Sequence, residues 1–449
     1  MKTLSKKIKS VWGISEVGFS IMATMETSFL VFFLTDVAKL PLGIVGVITG
    51  STALIDAISA IIAGIVIDKV NLKGGKYRPW LIICPPIVTV FFVVLFTKIG
   101  GNTTAAFFIM LGYVLSHFIW NIAWTANRNL IPVLTDDHNE RAFLSSRISA
   151  GSSTGKIIAS YLVPALSGVL IASLSGVTAY TVTALVVAIL FLICYFIHYF
   201  ITKGYDNEPV SERKAVTFKD MGRAIVGNGN LIALLIHDAI RLIAYYGVAA
   251  TAAYYSKVVL ETPSFTSWLL IMFYLGTTVG SLFSTRAAKK FGSKKTSAIG
   301  CLLSAICLGI AYLLPGSKAQ VLIMMFLAQL TFGVAYGLTA NLYSMCGTYS
   351  EWKTGGNARG IIMAFCSLAI KIAIAVRGVL ITAVLGWIAY DPDMTVMTAL
   401  AKSRIKFLFA GVFAIVMLVS LIPLIFFRLD DKKVEEMDAE IAARKHAEN

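Results

Sequence analysis

Apolar positions run along this chain in about a dozen long blocks, each broken by a short polar loop. Stretches such as 85–96, 184–200 and 407–427 hold no Asp, Glu, Lys or Arg. A hydrocarbon core about 30 Å thick is crossed by roughly 20 residues of helix. The blocks therefore predict helical spans near 11–37, 42–68, 79–98, 103–132, 144–173, 177–202, 229–257, 264–287, 295–315, 319–347, 358–387 and 404–428. Such spans are too long and too many for a soluble core. The predicted fold class is an all-α membrane protein of about twelve transmembrane helices.

The polar positions are not evenly spread. Lysine and arginine gather on every second loop: Lys69, Lys73, Lys76 and Arg78, then Arg141 and Arg147, then five between 203 and 223, then Arg286, Lys289, Lys290, Lys294 and Lys295, then Lys353 and Arg359. Basic loops face the cytoplasm, so both termini are expected there, and the basic start of the chain reads as a cytoplasmic tail. The longest polar stretch, 203–228, lies between the sixth and seventh spans. It divides the chain into an N-terminal six-helix half (1–202), a linker (203–228), a C-terminal six-helix half (229–428) and a tail (429–449). Each half carries a basic loop after its second span. Two such halves joined by a cytoplasmic linker describe the major facilitator architecture.

Composition narrows the function. Charged residues are 14% of the chain, against roughly a quarter in soluble proteins. The formal charge of +15 follows from the basic loops, so no nucleic-acid partner is expected; the partner is the bilayer of the cell membrane. The six cysteines lack paired metal spacing and read as small buried hydrophobes. No metal or cofactor is expected, nor is an enzyme: there is no HExxH or phosphate-loop pattern. The chain is expected to act as a monomer. Transport by alternating access is the leading reading. A facilitator or exporter of another small organic solute is the alternative, and a non-transporting membrane sensor a further one.

Two loop motifs go further. The first joins Asp56-Ala57-Ile58 to Asp68-Lys69 and Gly75-Lys76-Tyr77-Arg78-Pro79-Trp80. The second is Glu351-Trp352-Lys353-Thr354-Gly355 with Arg359-Gly360. They come with Thr35-Asp36-Val37, Thr135-Asp136-Asp137, Glu140-Arg141, Lys371, Gly386-Trp387 and Tyr390. In this order, over nearly the whole chain, the set resembles the glycoside-pentoside-hexuronide:cation symporter family, the melibiose-permease-like branch of the major facilitators. The resemblance implies a sugar site between the halves and a cation site in the N-terminal half. At the positions matching the family's motifs the chain departs from it. Ser20 stands at the sugar-site aspartate, Ala60 at the second acidic residue of span two, Trp124 at the span-four aspartate and Arg128 at the tryptophan after it.

Charges at membrane depth cost a few kcal/mol each or more, and so mark function or ion pairs. Asp56 and Glu26 are the candidates for cation coupling, with a structural ion pair as the bland alternative for each. A lone carboxylate beside Ala60 offers few oxygen ligands for sodium, so the coupling cation, proton or sodium, is expected to be a proton. Glu16, Ser20, Trp120, Trp124, Arg128 and Lys371 are the candidates for binding a sugar or sugar acid. Arg128 offers a planar fork of donors for an anionic group; alternatively it snorkels to the cytoplasmic end of its span. Trp120 and Trp124 share a helical face that could stack on a sugar or pack against a neighbour. Asp238 and Arg241, three apart, are expected to pair locally. Asp68, Arg78, Arg141, Glu351 and Arg359 are candidates for a cytoplasmic gate.

Overall fold

The computed structural model describes residues 4–70, 72–135, 137–206, 227–314, 317–355, 359–394 and 398–448. Every regular element among them is a helix. Among the described residues, ten helical stretches are long and apolar enough to cross a membrane, and shorter apolar helices lie within 42–67 and at Trp80–Leu95. The latter helix has 16 residues, about 24 Å at 1.5 Å per residue.

The chain forms two compact units. The first comprises Met1–Ala215 with the short segments Thr266–Leu270 and Ala389–Thr395; the second holds the rest. The first unit contains α1 (Lys6–Val11), α2 (Ile14–Phe32), α3 (Leu42–Lys69), α4 (Trp80–Leu95), α5 (Asn102–Asn129), α6 (Ile131–Leu134), α7 (His138–Ile171) and α8 (Gly176–Ile201). Helix α2 packs on α7 and α8, while α5 packs on α3 and α4.

Glycine sets the tightest of these contacts. A Cβ on Gly151 would lie 2.3 Å from the Gly13 carbonyl oxygen, and one on Gly155 would lie 2.4 Å from that of Val17. Only hydrogen fits there, so the α2 and α7 backbones nearly touch and fix which face of α2 turns inward. The run Gly151-Ser152-Ser153-Thr154-Gly155 has the spacing of a nucleophile elbow, which requires a strand-to-helix turn. Here it lies inside the long helix α7 and serves this packing.

The second unit contains α9 (Gly229–Tyr254), α10 (Thr266–Phe291) from Ile271 onward, α11 (Ser293–Leu313), α12 (Lys318–Tyr336), α13 (Thr339–Thr354), α14 (Arg359–Trp387), α15 (Ala399–Lys406), α16 (Val412–Val419), α17 (Leu421–Phe426) and α18 (Asp431–Glu448). Helix α9 packs on α14 and on α16 and α17, and α11 packs on α12. Two features differ from the reading of the sequence. The expected span at 319–347 is broken at Gly337, where a Cβ would fall 2.1 Å from Ser284 Oγ on α10. The expected tail is a docked helix: Asp431 accepts from the Ser293 backbone at 2.7 Å, and Trp352 Nε1 donates to Glu440 at 2.7 Å. Its run of Glu, Lys, Ala and Arg has high helix propensity and no apolar block to announce a span.

Candidate functional site

In the first unit, the inward face of α2 meets α5, α7 and α8 at a buried polar cluster. Glu16 is 4% exposed, and Arg128 Nη2 lies 3.3 Å from its Oε1. The Arg128 guanidinium also covers the Trp124 ring at 4.5 Å. Lys156 on α7 adds a second positive charge beside Glu16. Close by, Asn127 Nδ2 donates to Ser15 Oγ at 3.1 Å, and Ser20 Oγ donates to Ser152 Oγ at 3.0 Å. Four buried atoms in this cluster keep open hydrogen-bonding positions: Glu16 Oε2, Asn127 Oδ1, Arg128 Nε and Tyr195 OH. One carboxylate thus faces two cationic side chains, with spare donors and acceptors around them. That arrangement can hold a polar, negatively charged group.

An aromatic group adjoins the cluster. Phe19 meets Trp120 edge-on at 4.7 Å and Trp124 at 6.3 Å. Trp120 stacks on His117 at 4.7 Å. His117 Nε2 in turn lies 3.0 Å from Glu26 Oε2. Asp56 on α3 accepts from Asn121 Nδ2 at 2.7 Å, one turn along α5 from His117.

The structure therefore brings Glu16, Ser20, Trp120, Trp124 and Arg128 into one unit, on helices that pack together. Arg128 turns to Glu16 and Trp124. Lys371 belongs to the second unit, half-buried on α14. There, Arg377 Nη1 donates to the Tyr246 carbonyl oxygen at 3.1 Å. Asp238 accepts from Arg241 Nε at 2.7 Å, as the spacing required.

Among the gate candidates, Arg78 donates through Nε to the Tyr199 carbonyl oxygen at 3.2 Å. Its backbone N–H, with that of Tyr77, caps Asp206. Arg141 donates to the Thr135 carbonyl oxygen at 2.7 Å. Glu351 is buried. The side chains of Asp68 and Arg359, and Asp136, lie outside the described residues.

A family model described as MFS/sugar transport protein matches residues 11–431. The chain belongs to this family. As an MFS sugar transport protein it is a multi-pass membrane protein and not an enzyme. It is 26% identical to a candidate 2,3-dihydroxypropane-1-sulfonate exporter of Salmonella typhimurium, over 98% of this chain and 96% of that one. It is 25% identical to the isoprimeverose transporter of Lactiplantibacillus pentosus, over 97% and 91%, and 26% identical to the glucuronide carrier protein homolog of Escherichia coli, over 97% and 95%. The fold is also that of a bacterial homologue of the human lysosomal transporter Spinster, solved inward-facing and unoccupied, with a TM-score of 0.68 at 13% identity and 97% coverage of both chains.

Within this MFS protein the sequence reading missed two residues of the cluster and its surroundings, Tyr195 and His117. Tyr195 carries no signal of its own on an aromatic-rich span. Lys156 stands out in the sequence as a charge inside a span, with no role assigned to it. His117 had a usable signal, since Tyr113, His117 and Trp120 fall four and three apart on one face of α5.

Proposed function

We propose that this MFS protein moves a sugar or sugar acid across the cell membrane by alternating access, coupled to a cation. Glu16, Ser20, Trp120, Trp124 and Arg128 of the first unit contact the solute. Asp56 and Glu26 are the coupling carboxylates, and the coupling cation is a proton. The observation that carries the reading is the Glu16–Arg128 pair laid on Trp124, with Lys156 beside it. A guanidinium fork recognises a carboxylate or sulfonate, indole faces accept the C–H face of a sugar ring, and spare hydroxyl and carboxylate atoms accept its hydroxyls. The excess positive charge supports an acidic solute such as a uronide. The relatives named for glucuronide and for a sulfonate agree with that chemistry.

Proton coupling is supported by the surroundings of Asp56. An amide N–H is donated to its carboxylate, and Ala60 stands where a second carboxylate would add oxygen ligands. The relative named as an exporter favours a second reading, outward transport of an acidic solute through the same site. Both are tested in vesicles of the purified protein, with a panel of labelled neutral and acidic sugars and with pH and sodium gradients imposed separately. Inward, pH-driven accumulation of an acidic sugar, indifferent to sodium, is expected. Sodium-driven uptake would overturn the proton assignment. Transport of none of the panel in either direction would overturn the sugar reading.

A further inference from the structure

We propose that Glu26 and His117 together form the proton-binding element of this transporter, a reading that rests on the cation coupling proposed above. The Glu26 and His117 side chains are 4% and 6% exposed, so each must be satisfied by protein.

The geometry dictates where the hydrogens sit. His117 Nδ1 lies 3.0 Å from the Tyr113 carbonyl oxygen. A carbonyl only accepts, so in this arrangement Nδ1 carries a hydrogen. On the other side, Nε2 and Glu26 Oε2 are 3.0 Å apart. Two lone pairs facing one another at that distance repel, so one proton lies between them. The pair is imidazolium with carboxylate, or imidazole with carboxylic acid, and its total charge is zero in both forms.

A second state is built in. When the pair gives one proton to water, the remaining imidazole hydrogen belongs on Nε2, donated to the Glu26 carboxylate. Nδ1 is then an acceptor. Ser116 Oγ lies 3.3 Å from it and can turn its hydroxyl there from the Tyr113 carbonyl, 3.0 Å away. The pair then carries one negative charge and keeps its Nε2–Glu26 hydrogen bond, while the Nδ1 lone pair must turn from the Tyr113 carbonyl oxygen towards the Ser116 hydroxyl. Exchange of a single proton between two hydrogen-bonded states is what a coupling site requires.

The rings hold this arrangement and connect it. Tyr113 stacks on the imidazole at 3.8 Å and 6°, and Trp120 at 4.7 Å and 20°. Two aromatic faces favour a cation between them and keep Nε2 aimed at Glu26. From Trp120 the contacts run through Phe19 to Trp124 and on to Arg128 and Glu16. A change in the charge of the pair therefore acts on the rings that border the proposed solute site.

Other ionisable groups on the helices packed against α2 and α5 are half-buried Asp56 on α3 and Lys156 on α7, and buried Cys84 on α4 and Tyr180, Cys194, Tyr195 and His198 on α8. Asp56 is engaged with Asn121. Lys156 and Tyr195 act on Glu16, ten positions along α2 from Glu26.

The test uses the full chain in detergent and needs no solute. An imidazolium stacked on an indole quenches its fluorescence, so tryptophan emission is followed through the range where carboxylates and imidazoles titrate. The expected result is a one-proton step that W120F and H117Q each remove. E26Q should move its midpoint. In vesicles, E26Q and H117Q should each reduce pH-driven accumulation at least about tenfold. A step that survives H117Q, or one that E26Q leaves unmoved, overturns the proposal. So does full accumulation by E26Q. A step that behaves as expected in a protein that transports no sugar supports the pair and overturns the sugar reading.

Discussion

Asp238 and Arg241 pair one helical turn apart on α9, with Nη2 2.5 Å from Oδ1 and side chains 1% and 0% exposed. Thr339 Oγ1 accepts from the same Nη2 at 2.7 Å, and the Tyr343 hydroxyl donates to Asp238 Oδ2 at 3.3 Å. The pair ties α9 to α13 within the second unit. Removing one partner strands the other charge, at a cost of about 3–5 kcal/mol. D238N should therefore melt well below the parent in detergent, and D238L combined with R241M should recover part of the loss. Equal melting of D238N and the parent would show that the pair does not stabilise the unit.

Arg128 separates acidic from neutral solutes. A hydrogen bond to a charged group contributes about 1.5–3 kcal/mol. R128Q should thus weaken an acidic sugar roughly ten- to a hundredfold while changing a neutral analogue far less. Competition against a labelled solute measures both. A silent R128Q, together with a preference for neutral glycosides, would leave Arg128 a packing partner of Glu16 and Trp124 and remove the case for an anionic solute.

Orientation follows from the basic loops. Ser264 and Lys289 are both exposed and lie towards opposite ends of the Pro263–Phe291 span. A membrane-impermeant thiol reagent added to intact cells should label S264C and spare K289C. The reverse pattern would invert the topology.

Glu140 lies just before the span that begins at Phe143. The Lys9 ammonium at 2.7 Å, and then the Thr135 hydroxyl at 2.8 Å, hold its carboxyl below the ordinary value of 4.5. A carboxylate depressed in the folded state adds stability above its unfolded value and loses it as pH falls through the folded one. E140Q should accordingly melt slightly below the parent at neutral pH, with the difference closing in acid. A gap that stays constant from neutral to acid would show that the Glu140 charge is not its source.

The sequence alone determined the elements and the class. Blocks of apolar residues the length of a bilayer crossing can only be helices, since a backbone in lipid must satisfy its own hydrogen bonds. Contacts within one helix were equally legible, because a 3.6-residue period places Asp238 beside Arg241 whatever surrounds them. Ordered loop motifs identified the family. The periodicity of single helices could not show which charges meet across helices. Glu16 and Arg128 are 112 positions apart, and Glu26 and His117 lie on different helices of the first unit. Their meeting depends on how far each helix is rotated and slid against its neighbours. Backbone contacts at Gly13, Gly151 and Gly155 fix α2 against α7, and one at Gly112 fixes α5 against α4; there a missing side chain leaves no mark in the hydrophobic pattern. The docked tail helix escaped for a related reason: its polar side chains find their partners on α11 and α13, and only the folded chain brings those within reach.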